Sequence, residues 1–466
     1  MKARAAILAA LATAAFAWIF SVHTAAVFSG ADDMRMIDFI RRHGRAGAAG
    51  ERLVERGPIL DCNGATLSAA VPGERWARSC PLGEAGVHPV GVFGRNPTGC
   101  ERVLDSVLSR PSPGDPSSGG SVRLSLDSSL QRAAYALLEG RRGAVVAIEP
   151  RSGRILAAAS SPGWDPCGRP DARQVADGCF VNRAFDGLYP PGSVFKIFTA
   201  AAAIDRGLDP VYDCPAGGFS PEPGSPPVRD SEAAAWRRRG AVWKGFGRIG
   251  MEKAFAHSSN VYFAKLGCAL GADAFDAAAE AMRLRGGFSL MERGGESLQA
   301  RGAGIPRPHG DAELAAAAIG QGRLQLTPLC VALLTAAVAC DGAVPAPTID
   351  AEAPPRVLAR AFKPATAEKV RKMMRAAAAG GTARGCDIPG TPVCAKTGTA
   401  QTGSGEDHAW FTCFAPCDDP AIVVTVLVEN GGFGAKTAMP VARELLLKAE
   451  RLGYFGREPR GTEDEP

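Results

Sequence analysis

The sequence predicts an α+β protein: one antiparallel sheet flanked by helices, preceded by a small membrane-proximal module and a single N-terminal transmembrane helix. Three observations carry that prediction. Strand patterns open and close the long C-terminal part while helical patterns fill its middle, so one sheet must be completed by both ends of the chain. Residues 5–31 contain no Asp, Glu, Lys or Arg. A Pro-, Gly- and Ser-rich stretch at 111–120 separates the two exported parts as a linker. At 466 residues the chain has room for two or three domains.

The uncharged run is the first element. As helix it extends roughly 40 Å, enough to cross a hydrocarbon core of about 30 Å. Lys2 and Arg4 precede it and place the N-terminus in the cytoplasm, with everything after Asp32 outside. A cleaved signal peptide is the alternative, but the run is long and no clean A-x-A site ends it. Residues 1–31 are therefore expected to form a cytoplasmic tip and signal anchor, single-pass in the inner membrane. A short amphipathic helix over 32–46 leads into a pedestal module at 32–110. The segment from Arg56 ends in a turn at Asn63-Gly64. The main domain, 121–455, opens with a strand at 122–126 and a helix capped by Asp127 or Ser128. A hairpin follows, with strands at 143–149 and 154–159. Strands at 393–401, 410–414 and 422–429 close the sheet, a helix covers 440–452, and 456–466 is a polar tail.

Composition narrows the function. A net charge of +5 is too small for a dedicated nucleic-acid binder. Six histidines, no HExxH and no CxxC argue against a metal, and no cofactor motif is present. The odd count of thirteen cysteines leaves at least one thiol unpaired within the chain, in an exported setting where disulfides persist. Cys167 with Cys179, Cys386 with Cys394, and Cys413 with Cys417 are near enough in sequence to close short loops. A Cys386–Cys394 bond would brace the following strand, with two unpaired thiols as the other outcome.

Three short motifs carry the chemistry. At Pro190-Pro191-Gly192-Ser193-Val194-Phe195-Lys196, extended chain stops before a helical run, so Ser193 sits at a helix N-terminus that favours developing negative charge. Lys196 lies one turn on, where a buried neutral amine can take the serine proton. Alone, the same pattern also describes a helix cap and a surface lysine. His257-Ser258-Ser259-Asn260 supplies a hydroxyl able to relay a proton and an amide able to orient a carbonyl. Lys396-Thr397-Gly398-Thr399, on a strand, offers a cation and hydroxyl for a carboxylate and a glycine against which substrate backbone can lie. The amides of Thr399 and Ser193 can form an oxyanion hole.

In this order S-x-x-K, S-x-N and K-T-G resemble the signature of penicillin-binding proteins and serine β-lactamases. The stretch from Arg56 to Gly64 resembles an element of class B penicillin-binding proteins, with Cys62 where arginine is usual. Ser160-Ser161-Pro162, Asn182-Arg183-Ala184, Gly320-Gln321-Gly322, His408-Ala409-Trp410-Phe411 and Val428-Glu429-Asn430-Gly431 match the transpeptidase domain. The resemblance implies a monofunctional peptidoglycan D,D-transpeptidase that forms a serine acyl-enzyme on stem peptides and is acylated by β-lactams. By matching positions, Ser193 is the nucleophile, Lys196 its base and Ser258 the proton shuttle. Asn260, Lys396, Thr397 and Gly398 orient substrate, and Thr399 shares the oxyanion hole. The partners implied are stem peptides on lipid-linked or nascent glycan strands and a polytopic membrane glycosyltransferase, in division or elongation. A β-lactamase, a D,D-carboxypeptidase and a non-turnover β-lactam sensor are the competing readings. Class A β-lactamases place a glutamate with an asparagine four residues later between the second and third motifs, and residues 261–429 contain no asparagine.

Overall fold

The computed structural model describes residues 54–456, apart from 95, 234–235, 237–239 and 404. The expected membrane helix, the amphipathic stretch at 32–46 and all of the tail but Gly456 lie outside the described residues. Among those described, no helix is long and apolar enough to cross a membrane.

The small module is built on a four-stranded sheet. Strands β1 (Ile59–Leu60), β2 (Thr66–Val71) and β3 (Glu74–Ser79) are antiparallel neighbours, and β1 also pairs in parallel with β6 (Val122–Arg123). The stretch 111–120 is not a free linker. Its residues form a hairpin, β4 (Pro111–Ser112) with β5 (Asp115–Gly119), tied to the segment before β1 by Glu55 N to Ser117 O at 2.7 Å and Gly119 N to Glu55 O at 2.7 Å. Small side chains read as a linker by composition, yet they are also what lets two backbones pair closely. The turn after β1 is closed by Asp61, whose carboxylate accepts from Asn63 N and Ala65 N and from the Ser128 hydroxyl. That joins the module to helix α1 (Ser128–Ala136), which Asp127 caps through Ser129 N and Leu130 N.

The main sheet has five antiparallel strands in the order β15-β16-β17-β7-β8. Strands β7 (Gly143–Ile148) and β8 (Ile155–Ser161) come from the first half, and β15 (Cys394–Ala400), β16 (His408–Ala415) and β17 (Ile422–Val428) from the end. Three small strand pairs lie between: β9 (Tyr212–Pro215) with β10 (Gly245–Ile249), β11 (Phe288–Arg293) with β12 (Glu296–Ala300), and β13 (Ala343–Pro345) with β14 (Val357–Arg360). The expected antiparallel α+β sheet completed by both ends is what forms. Alternate residues of β7 enter different cores: Ala144, Val146 and Ile148 one, Val145 and Ala147 the other. On the first side packs a helix buried all round, Pro328–Ala339, whose Thr335 hydroxyl meets that of Thr412 at 2.7 Å. On the second lie α1 and the C-terminal helix Gly434–Arg451.

Two expectations change here. The last helix begins at Gly434, not near Pro440, which stands inside it and offers no N–H to the carbonyl four residues earlier. A Cβ on Gly434 would lie 2.2 Å from Trp410 O and 2.3 Å from Gly398 O, so only glycine lets this first turn press against the sheet. The disulfide is Cys394–Cys417, with Cα atoms 5.4 Å apart. Cys386, Cys413, Cys167 and Cys179 are free, so none of the three expected pairs forms. Core placement separates two of them: Cys394 and Cys417 face one core, Cys386 and Cys413 the other, the chain leaving the strand alternation after Ala415.

Candidate active site

The nucleophile's turn is held from several directions. Gly192–Phe195 is a 3₁₀ turn that runs directly into the helix Lys196–Asp205, so Ser193 stands at the entrance of a helical segment as the motif implied. Trp410 Nε1 donates to Pro190 O at 2.9 Å, and Gly192 N donates to Gly320 O at 2.9 Å. Gly320 has φ +78°, and a Cβ there would lie 1.9 Å from Gly192 O. The Gly320-Gln321-Gly322 segment is therefore a backbone brace for the serine turn. Ser193 itself is half-buried.

Lys196 is fully buried in the first turn of its helix. Its Nζ donates to Ser258 O at 2.6 Å, to Asn260 Oδ1 at 2.7 Å and to Ser258 Oγ at 3.3 Å. Lys396, on β15 and equally buried, donates to the same Ser258 hydroxyl at 2.8 Å and to Thr397 O at 3.1 Å. Ser258 thus bridges two amines from opposite sides of the cleft. Its φ of +59° is unusual for a non-glycine residue and aims the hydroxyl between them. The strained link joins the helices Met251–Ala256 and Asn260–Leu270.

Among the described residues no hydrogen bond links Ser193 Oγ to Lys196 Nζ, the contact that the one-turn spacing implied. The amine is turned toward Ser258 and Asn260, and contacts of this kind often tighten only when substrate arrives. The Thr397 hydroxyl donates to Thr382 Oγ1 at 2.7 Å. Gly398 lies against the serine turn, where a Cβ would come 3.0 Å from Val194 Cγ1. The Thr399 carbonyl abuts Gly192, which sets the Thr399 and Ser193 backbones side by side.

Several functional neighbours carried no motif. Asp230, in the connection between β9 and β10, is buried, and its Oδ1 accepts from Ser259 Oγ at 3.0 Å and Val261 N at 3.1 Å. Arg229 O accepts from Asn260 Nδ2 at 3.0 Å, which fixes the amide so that Oδ1 meets Lys196. Thr382 is reached from Ala256 O through its own N–H at 3.0 Å. Only distant chain segments meet at these contacts, so no local spacing marks them. Glu429 was visible as part of a matched motif without a role. Its Oε1 accepts from Arg183 Nε and from Tyr189 Oη, each at 2.7 Å, and Arg142 approaches the other oxygen at 2.8 Å. This network anchors the chain four residues before Ser193 to the end of β17.

Burial pulls the Lys196 amine down to about 7, with the charges of Asp230 and Glu232 working against it. Burial also pulls Lys396 well down, and the neighbouring Lys196 charge adds to the effect. Two amines this close cannot both hold a proton cheaply, so one is available as a base near neutral pH. A serine at a helix entrance, a buried amine lowered to about 7, a bridging serine and a second lysine suit acyl transfer through a covalent serine intermediate.

The family described as penicillin binding protein transpeptidase domain matches residues 143–447. The chain belongs to that family. The peptidoglycan D,D-transpeptidase PbpA of Mycolicibacterium smegmatis is 31% identical over 431 residues, covering 81% of this chain and 85% of the relative. The peptidoglycan D,D-transpeptidase MrdA of Acinetobacter baumannii is 32% identical over 396 residues, covering 72% of this chain and 55% of that protein. Among solved structures, the ceftriaxone acyl-enzyme complex of penicillin-binding protein A from M. tuberculosis superposes with a TM-score of 0.75 at 28% identity, over 86% of this chain and 99% of that one. The family places Ser193, Lys196, Ser258, Asn260 and Lys396 within one transpeptidase domain.

Proposed function

We propose that this chain is a peptidoglycan D,D-transpeptidase whose Ser193 forms the acyl-enzyme with a stem peptide and then passes the acyl group to an amine on a neighbouring strand. Ser193 Oγ attacks the penultimate D-alanine carbonyl, its proton goes to the neutral Lys196 amine, and a C–N bond breaks to release D-alanine. Ser258, held between Lys196 and Lys396, carries the proton to the leaving amine. The Ser193 and Thr399 amides hold the oxyanion. Asn260 orients the substrate amide, and Lys396 with Thr397 and Gly398 aligns the donor stem along β15. β-Lactams enter the same step and acylate the same hydroxyl.

The observation that carries this reading is the single Ser258 hydroxyl shared by the two buried lysines. The catalytic unit is assigned to 121–455 and the small module to 32–110, anchored by 1–31 in the inner membrane with catalysis on the outer side. The uncharged run at 5–31 supports the anchor. A polytopic glycosyltransferase would supply nascent strands, since the chain between the anchor and the transpeptidase domain is short. Product analysis with donor and acceptor stem peptides tests the function. Cross-linked dimer with release of D-alanine is expected. Release of D-alanine without dimer would make the enzyme a D,D-carboxypeptidase, and neither product with a persistent penicillin adduct would make it a sensor.

A further inference from the structure

We propose that Cys80 and Cys167 form a redox clasp, a disulfide that ties the small module to the transpeptidase domain. Cys80 follows β3 in the small module, and Cys167 lies in the loop after β8. Both are free thiols in this structure, Cys167 exposed and Cys80 half-buried. The Cys167 thiol donates to Arg78 O at 3.3 Å, two residues before Cys80, and so reaches the strand end that carries the second thiol. The Cys80 sulfur also lies 4.0 Å from the Ser68 hydroxyl.

The backbone on both sides is held by its own contacts, which keeps the two cysteines in each other's neighbourhood. On the module side, the Arg78 guanidinium is locked onto the buried Glu101 carboxylate at 2.9 Å. On the loop side, Gln174 Nε2 donates to Glu84 Oε1 at 3.1 Å and to Gly163 O at 3.2 Å. The His88 ring contacts Cys179 O at 2.7 Å and meets Trp164 edge-on at 5.5 Å. The loop then ends at Arg183, which holds Glu429 and through it the approach to Ser193. A clasp at Cys167 braces the segment that supports the catalytic turn.

The chemistry runs by thiol–disulfide exchange with an oxidised dithiol protein of the exported compartment, so it rests on the exported placement above. Burial pushes the Cys80 thiol up to about 12, and Cys167 is the exposed sulfur of the two, so an incoming carrier meets Cys167 first. Cys167 opens the carrier disulfide to give a mixed disulfide and one carrier thiol. Cys80 then attacks the Cys167 sulfur, forming the intramolecular S–S bond and releasing the second carrier thiol. Two S–H bonds are lost here, and the two electrons and two protons reduce the carrier.

Full-length protein recovered from an oxidising compartment, alkylated without reduction and digested, should yield a peptide containing Cys80 linked to one containing Cys167. Alkylated Cys80 and Cys167 in protein that still labels with fluorescent penicillin would overturn the clasp while leaving the transpeptidase reading intact. So would a linkage of Cys167 to any other cysteine. Cys167→Ser removes an exposed thiol and should leave penicillin labelling unchanged. Reduction should lower the Tm of the native chain by several degrees more than that of Cys167→Ser, and equal shifts would also contradict the proposal.

Discussion

Two clusters of buried charge in this molecule follow opposite rules. In the small module, Glu101 is wholly buried and receives Arg56 at 2.8 Å and Arg78 at 2.9 Å, with the Ser68 hydroxyl at 2.5 Å. Every charge has its opposite. In the active site, Lys196 and Lys396 are as deeply buried, yet among the described residues neither lies within ion-pair distance of a carboxylate, and both turn to hydroxyl, amide and carbonyl oxygens instead. Paired charge fixes shape. Unpaired buried charge is forced toward neutrality, which is what a base needs. Buried cations therefore serve architecture in one place and, in the proposed mechanism, proton transfer in the other.

That contrast can be broken at either end. Ser193→Ala should abolish labelling by fluorescent penicillin without unfolding the protein, because one small, half-buried hydroxyl is lost; labelling of that variant at a single site would remove Ser193 from the mechanism. Lys196→Arg keeps the charge but supplies no base, so acylation measured by stopped-flow should fall about 10²–10⁴-fold. Glu101→Ala does the reverse. It leaves the Arg78 guanidinium buried without a carboxylate while Arg56 keeps Asp105, and a denaturant melt should show a loss of about 3–5 kcal/mol, with labelling per folded molecule unchanged.

The smallest expected effect is on pH dependence. Acylation should rise with pH through about 7 as Lys196 loses its proton. Asp230 and Glu232 raise that value, and the Lys396 amine lies beside it, sharing the Ser258 hydroxyl. Asp230→Asn keeps an oxygen to accept from Ser259 and Val261 but removes a negative charge. The rising limb should therefore move to lower pH, by about one unit, with Glu232 and Lys396 unchanged. A limb that stays in place would show that Asp230 acts on geometry alone.

Much of the site was legible because its members are locally spaced. Ser193 and Lys196 lie one helical turn apart, Ser258 and Asn260 flank a helix start, and Lys396 to Thr399 share a strand. The sheet was legible for a similar reason, since its strands carry their own apolar patterns. Asp230, Arg229 and Thr382 were not, because each reaches the site from a connection with no periodicity of its own. The Cys394–Cys417 bond was missed for a different reason. Sequence distance favoured other partners, and which sulfurs share a core is decided by how the chain turns after β16, beyond Ala415.

In the proposed mechanism Ser193 forms an acyl-enzyme built to wait for an amine and not for water. Intact mass spectrometry of the protein after penicillin treatment tests it most directly. One adduct, mapped to Ser193 and persisting over many minutes, is the predicted result. Rapid loss of the adduct, with nitrocefin turned over at tens per second, would contradict it and make the protein a β-lactamase.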